Sequence, residues 1–184
     1  MTGKNLISEE SINRYLERFN QIRKLGYTKE GDAAFIQDMI VTSEQISNLY
    51  VKASIGDYKL YCDEPENLGG TGKAPNPMQT LLGAFANCLE LSAMLYFSFM
   101  NLEVSSVKVE VRAKYDKRSV LLKEKENLPG FYDISYTWYI HTVETKERIQ
   151  RALDAIAESC PVKWTLQREH EFSQKLILNG DNKN

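Results

Sequence analysis

The sequence predicts an α+β domain built on an antiparallel sheet and a long buried central helix. Residues 106–116 (SVKVEVRAKYD) and 130–144 (GFYDISYTWYIHTVE) alternate apolar and polar side chains, which is typical of half-buried strands. Residues 77–101 are apolar on nearly all sides, as expected for a helix in the middle of a structure. Helices and strands follow one another in segregated runs, and this order favours α+β.

The N-terminal part predicts one helix followed by a meander of strands. Apolar residues at helical spacing follow Ser8, and Gly26 marks the end of this helix. After a polar turn at 30–32, the segments 35–45, 47–56 and 57–65 alternate well enough to be strands.

The central helix is predicted over 77–101, after a loop rich in glycine and proline. Asn76 and Pro77 are a favourable cap and first-turn pair. A membrane span would also be apolar all round, but the interior Asn87 and Glu90 would be costly at bilayer depth. We therefore predict a core helix.

The C-terminal part predicts a turn, two helices and a closing strand. Residues 123–130 (KEKENLPG) predict an exposed turn between the two long strands. Residues 145–159 predict an amphipathic helix, and Cys160-Pro161 begins a new helical turn. Residues 172–180 predict a last strand.

Composition limits the possible classes of function. The 184 residues, 42% of them hydrophobic, can form one domain with a core that needs no disulfide or structural metal. The net charge of -2 and the dispersed basic residues argue against a nucleic-acid partner. The N-terminus has no apolar secretion segment, and three scattered cysteines suit a reducing compartment, so we expect a cytoplasmic location.

Three other kinds of site are disfavoured. The stretch GGTGKA lacks two requirements of a phosphate-binding loop, because Asn67 stands where a glycine is needed and Ala74 follows the lysine. The two histidines are far from each other and from the cysteines, so no metal site is predicted. No G-x-S-x-G motif marks a nucleophilic serine. We expect no cofactor.

The three cysteines differ in their sequence context. Cys160 precedes a predicted helix, where free amide hydrogens favour a thiolate. Cys88 lies well inside the central helix and, taken alone, is best explained as core packing. Cys62 is followed by acidic residues that disfavour a thiolate, so we interpret it as a strand residue.

Two segments together resemble a known family. DEPENLGGTGKAPNPMQTLLGAFANCLELS, followed much further along by CPVKWTL, is similar to the OsmC and Ohr superfamily of osmotically inducible and organic hydroperoxide resistance proteins. The resemblance implies an OsmC-like fold, with the chain as a single domain over 1–184. The family core would span 41–180, and 1–40 would be an N-terminal helical extension.

The resemblance also implies an intertwined homodimer with its active sites at the subunit interface. In the peroxidase members, the cysteine matching Cys88 attacks a hydroperoxide, the one matching Cys160 resolves the sulfenic acid, and a dithiol reductant restores both. We assign substrate binding to four residues around them: Met78, Gln79, Phe85 and Trp164. Leu, Phe and Met around the thiol would favour an organic hydroperoxide.

One departure from the family pattern keeps a second function open. Peroxidase members hold an activating arginine with a glutamate shortly after the Asn-Pro pair, but the matching positions here are Met78 and Gln79. The strands over 41–62 contain no arginine, which leaves Lys52, Lys59 or an arginine of the extension as substitutes. The alternative is a weakly active or non-catalytic protein that binds a small apolar or thiol-containing ligand at the dimer interface. A purely structural or interaction role is the third possibility.

Overall fold

The computed structural model describes residues 6–122 and 128–178 and shows a mixed α+β fold. The elements in chain order are α1 (Glu9–Leu25), α2 (Lys29–Phe35), β1 (Thr42–Ser47), β2 (Tyr50–Ile55), β3 (Tyr58–Cys62), α3 (Pro77–Phe99), β4 (Val104–Tyr115), β5 (Phe131–Thr142), α4 (Lys146–Ser159) and α5 (Pro161–Gln167). The predicted fold class, with antiparallel strands and a long helix, is confirmed.

The strands form two separate antiparallel sheets. Strands β1, β2 and β3 are neighbours in chain order, and β4 pairs with β5 along most of the length of both. The first strand begins at Thr42 rather than at 35, because Phe35 ends the helix α2 and residues 36–41 are in neither helix nor strand. The predicted polar turn at 30–32 was therefore wrong: Thr28 caps a short helix there.

Helix α3 begins where the sequence predicts, because Asn76 and Gln79 form a reciprocal capping box and Pro77 occupies the first turn. Its buried residues are Phe85, Leu89, Ala93 and Phe97. Their spacing of four places them on one side of the helix. This side packs against β4 and against α4 and α5.

The opposite side of α3 is open in the single chain, so the predicted burial on all sides holds for one face only. Ala84 and Asn87 are exposed on it, and Leu91 keeps 58% of its surface exposed.

Among the described residues, α3 is the helix long and apolar enough to cross a membrane, a test that the core helix of a soluble protein also passes.

The N-terminal extension packs on the far end of α3. Helix α1 is capped by the Ser8 side chain and ends at Gly26, as predicted. The rings of Tyr15 and Phe19 lie edge-on to Phe99, at centroid distances of 6.4 and 5.3 Å. The extension is therefore anchored at the C-terminal end of the central helix.

The predicted closing strand is not formed in its described residues, 172–178, so this prediction was wrong there. Phe172, Leu176, Ile177 and Leu178 are exposed. A strand needs a neighbouring strand for its backbone N–H and C=O groups, and the sheets described above give this segment none. Residues 179–180 of this prediction, and residues 123–127 of the predicted turn, lie outside the described residues.

A buried carboxylate organises the loop that leads into α3. Asp63, 2% exposed, accepts hydrogen bonds from the backbone N–H groups of Glu64, Thr71 and Lys73 and from the Thr71 hydroxyl. The Thr71 hydroxyl and these amides hold the pKa of Asp63 below its usual value. Amides of the GGTGK stretch therefore bind a carboxylate of this chain, which agrees with the exclusion of a phosphate-binding loop.

We predict that Asp63→Asn lowers the stability of the protein most at neutral pH. A carboxyl with a lowered folded pKa stabilises the fold above its unfolded pKa, about 3.9, and this contribution is lost as the pH falls through the folded value. The difference in urea midpoint between wild type and variant should therefore shrink from pH 7 to pH 3. Asp57→Asn, in the exposed β2–β3 turn, is the matched control. An equal difference at both pH values would contradict this role.

Candidate active site

Two cysteine side chains meet where α3 crosses the junction of α4 and α5. Cys88 lies on α3 beside the buried Leu89. Cys160 is the C-cap residue of α4 and also the N-cap residue of α5. Their Sγ atoms are 3.3 Å apart, with the Cys160 thiol donating to Cys88 Sγ. Both are free thiols. The structure thus brings together the two cysteines that the sequence analysis singled out.

The two thiols differ in access to solvent. Cys160 is fully buried, with 0% of its surface exposed, whereas Cys88 is partly buried. A dissolved reagent would therefore reach Cys88 before Cys160.

Burial is the largest influence on Cys160 and raises the pKa of its thiol. The backbone N–H groups of Lys163 and Val162, in the first turn of α5, act in the opposite direction, and the contact with Cys88 raises the pKa further. Among the described residues, no cationic side chain contributes to this pKa shift. The Lys163 ammonium instead donates to the carbonyl oxygen of Ala157.

Tyr136 of β5 lies near the thiol pair. Its ring lies at a right angle to Phe85, with centroids 6.0 Å apart, and packs against the core that contains Cys160. Burial raises the pKa of its hydroxyl, and charge on Cys160 raises it further. Sequence alternation predicts that Tyr136 shares a core face with Trp138, which is confirmed. The alternation does not indicate that this face of β5 lies near Cys160.

The four residues assigned to substrate binding are dispersed. Met78 and Gln79 lie in the first turn of α3, and Gln79 is about 14 Å along the helix axis from Cys88. The Gln79 side chain is committed to the cap, because its Oε1 accepts from the Asn76 N–H at 2.9 Å. Phe85 is buried in the core, one turn before Cys88.

Trp164 lies in the corner between α4 and α5 and is 42% exposed. Its indole N–H donates to the carbonyl of Glu158 at 2.6 Å, and the Arg168 guanidinium lies over its ring. Its polar edge is therefore already bound within the chain.

Four of the cations considered as substitutes for the family arginine have other partners. Lys52 pairs with Glu44, and Lys59 donates to Ser54. On α1, Arg14 pairs with Glu10, and Arg18 lies over the ring of Phe35. The α1 contact with Phe99 is about 17 Å along the α3 axis from Cys88.

The third cysteine stands apart from the pair. Cys62 ends strand β3, as its interpretation as a strand residue predicts, and its Sγ lies 3.4 Å from the Thr80 hydroxyl. Within 6–122 and 128–178, no three His, Cys, Asp or Glu side chains are grouped so that they could hold a metal ion.

Comparison with solved structures shows where this fold occurs. An OsmC-like protein from Mycoplasma pneumoniae matches with a TM-score of 0.62 at 20% identity, over 71% of this chain and 88% of that one. An organic hydroperoxide resistance protein from Elizabethkingia anophelis matches with a TM-score of 0.55 at 16% identity, over 72% and 89%. One from Legionella pneumophila gives 0.51 at 19% identity, over 72% and 90%. At these identities the likeness shows the fold alone.

The curated proteins contain no sequence match to this chain. The family described as OsmC-like protein matches residues 70–175, which include α3, both long strands and both helices that form the thiol pair. This match covers more than half of the 184 residues. The chain belongs to the OsmC-like protein family.

Proposed function

We propose that this protein is a cysteine-based thiol peroxidase that reduces organic hydroperoxides. The observation that carries the proposal is the 3.3 Å contact between the Sγ atoms of a partly exposed and a fully buried cysteine. A peroxide-reducing thiol needs a second thiol to trap its sulfenic acid, and this arrangement offers both. Relatives of the same fold are organic hydroperoxide resistance proteins.

In the proposed reaction Cys88 attacks and Cys160 resolves. The Cys88 thiolate attacks one peroxide oxygen, so that an S–O bond forms, the O–O bond breaks and the leaving alkoxide takes up a proton to become an alcohol. Cys160 sulfur then attacks the sulfenic acid, which releases water and forms the disulfide. A dithiol reductant restores both thiols by exchange.

The surroundings of the pair support an organic substrate. Cys88 packs against the apolar core to which Phe85 and Leu89 of α3 contribute, and the ring of Tyr136 contacts Phe85 there. An apolar site binds the alkyl or aryl part of a hydroperoxide, which hydrogen peroxide lacks. The odd number and wide spacing of the three cysteines suit a reducing compartment, and we propose the cytoplasm.

We further propose that the active unit is an intertwined homodimer. The central helix leaves Ala84, Asn87 and Leu91 open along one face. The β1–β3 sheet makes no extensive contact with the rest of the described chain and exposes Ile55, Tyr58 and Leu60. A second copy would cover apolar surface that a single soluble chain rarely exposes.

The departure from the family pattern supports a second candidate function. With Gln79 bound in the helix cap and no cationic side chain of the described residues contributing to the pKa shift of Cys160, the site suits the binding of a small apolar or thiol-containing ligand instead of peroxide reduction. An organic hydroperoxide resistance protein from Vibrio cholerae, of the same fold at 16% identity and a TM-score of 0.51, has captopril bound in one of its active sites.

Treatment with cumene hydroperoxide tests the peroxidase proposal. We expect the loss of two thiols per chain and a Cys88–Cys160 disulfide in peptide mass spectra, because the sulfenic acid forms in contact with the second thiol. Cys160→Ser should stop at the sulfenic acid or its overoxidised forms, and Cys88→Ser should consume almost no peroxide.

Cys62→Ser is the matched control and should behave as wild type, because Cys62 contacts Thr80 rather than the pair. An unchanged thiol count in wild type would overturn the peroxidase proposal. If ligand binding is the function, Cys88→Ser should leave the affinity for captopril nearly intact.

Substitution on the open face of α3 tests the dimer. Leu91→Glu would place a charge in the proposed helix contact, where burial of an unpaired carboxylate is costly. We expect the dimer Kd to rise by about 100-fold, or about 2.7 kcal/mol, in sedimentation velocity. Tyr27→Glu, at a side chain that is fully exposed between α1 and α2, should leave the Kd unchanged. A wild-type protein that is monomeric at tens of micromolar would refute the dimer.

A further inference from the structure

The spacing of the two thiols suits a ligand that bonds to both sulfurs at once. A linear two-coordinate ion with bonds of about 2.3 Å, as for Zn–S, would hold two sulfurs about 4.6 Å apart. A pyramidal centre with two such bonds at about 95° holds them about 3.4 Å apart. The observed separation of Cys88 and Cys160 is 3.3 Å. The pair is therefore preorganised for a pyramidal centre.

The number of donors also selects among thiophilic ligands. Structural zinc takes four protein ligands and catalytic zinc three, but the part of the chain that the structure describes adds no third metal-binding side chain to this pair. The central atom of a ligand that fits must therefore form only two bonds to the protein, both to sulfur, and must already carry a third substituent. The apolar residues around Cys88 favour an organic substituent over a hydrated ion.

We propose that the Cys88–Cys160 pair is a binding site for trivalent organic arsenicals, which have two exchangeable positions and one carbon substituent on a pyramidal arsenic. An arsenoxide RAs=O would react with the two thiols to give RAs(S)2 bridging both sulfurs. Two As–S bonds form, the arsenic–oxygen bond breaks, and the two thiol protons leave with that oxygen as water. No oxidant or reductant is consumed, because arsenic stays trivalent.

The difference in burial sets the order of bond formation. Cys88 is the more accessible of the two thiols, so the first As–S bond forms there, and the buried Cys160 forms the second. The second bond is intramolecular, and linkage of this kind increases overall affinity by about 100-fold to 10,000-fold over one bond alone. Bound arsenic would block peroxide reduction, but its binding does not require that reaction.

Phenylarsine oxide is the probe for this site. Reduced wild-type protein should gain one phenylarsenic group per chain in native mass spectra, with an apparent Kd at least about 100-fold lower than that of Cys88→Ser or Cys160→Ser. Cys62→Ser should bind as wild type. The dithiol 2,3-dimercaptopropanol should release the group, whereas the same thiol concentration of 2-mercaptoethanol should not.

A variant-free measurement covers the case in which the buried Cys160→Ser does not fold. In native mass spectra of the wild type, an arsenical bonded to both sulfurs should add C6H5As in place of two thiol hydrogens, whereas attachment through one sulfur would keep an arsenic hydroxyl and be one water heavier. A bound group that keeps its hydroxyl, or equal affinity in wild type and a folded Cys160→Ser, would overturn the proposal. A protein that binds phenylarsine oxide but leaves cumene hydroperoxide unreduced would sink the peroxidase proposal and leave this one intact.

Discussion

The packing of α3 against α4 is the contact on which the rest of the structure depends. Leu89 and Ala93 of α3 and Ala152 and Ile156 of α4 are all fully buried, and they lie in one core. Burial of a leucine or isoleucine side chain contributes about 1.5–3 kcal/mol. Because Cys88 adjoins Leu89 in sequence and Cys160 follows α4 directly, the same packing brings two thiols 72 positions apart into contact. The site needs no separate scaffold.

The chemistry available to this pair follows from what surrounds it. The Cys160 sulfur accepts from the backbone N–H groups of Lys163 and Val162, and no cationic side chain among the described residues contributes to its pKa shift. Tyr136 lies close enough that charge on Cys160 raises the pKa of its hydroxyl. The Cys160 thiol donates to Cys88 Sγ, so the two sulfurs are in direct contact. Neutral hydrogen-bond donors act over shorter distances than a full charge does. The reactivity of this site therefore depends more strongly on the placement of the two sulfurs than the reactivity of a site with a nearby cation.

Local signals predicted most of the fold. The Asn76-Pro77 cap, the end of α1 at Gly26 and the alternation of β4 and β5 each depend on neighbours in sequence, and the structure confirms all three. Helix α2 was missed because its seven residues, KEGDAAF, carry too little apolar periodicity. The strand at 172–178 was predicted from its own residues, but a strand also needs a pairing partner, which a local segment does not encode.

The site was predictable only where it depends on local sequence motifs. The pairing of Cys88 with Cys160 came from two motifs considered together, whereas the approach of Tyr136 depends on packing between β5 and the helices. The commitment of Gln79 to the helix cap, by contrast, follows from its position three residues after Asn76 and could have been read from the sequence.

The most direct test of the central claim is the thiol–disulfide equilibrium of Cys88 and Cys160 against glutathione, measured in native buffer and in concentrated urea. If the α3–α4 packing creates the pair, the native equilibrium constant for forming the disulfide should exceed the unfolded one by at least about 100-fold, since the fold raises the effective concentration of one thiol at the other. Equal constants in the two conditions would show that the fold does not bring these thiols together, and would contradict the account.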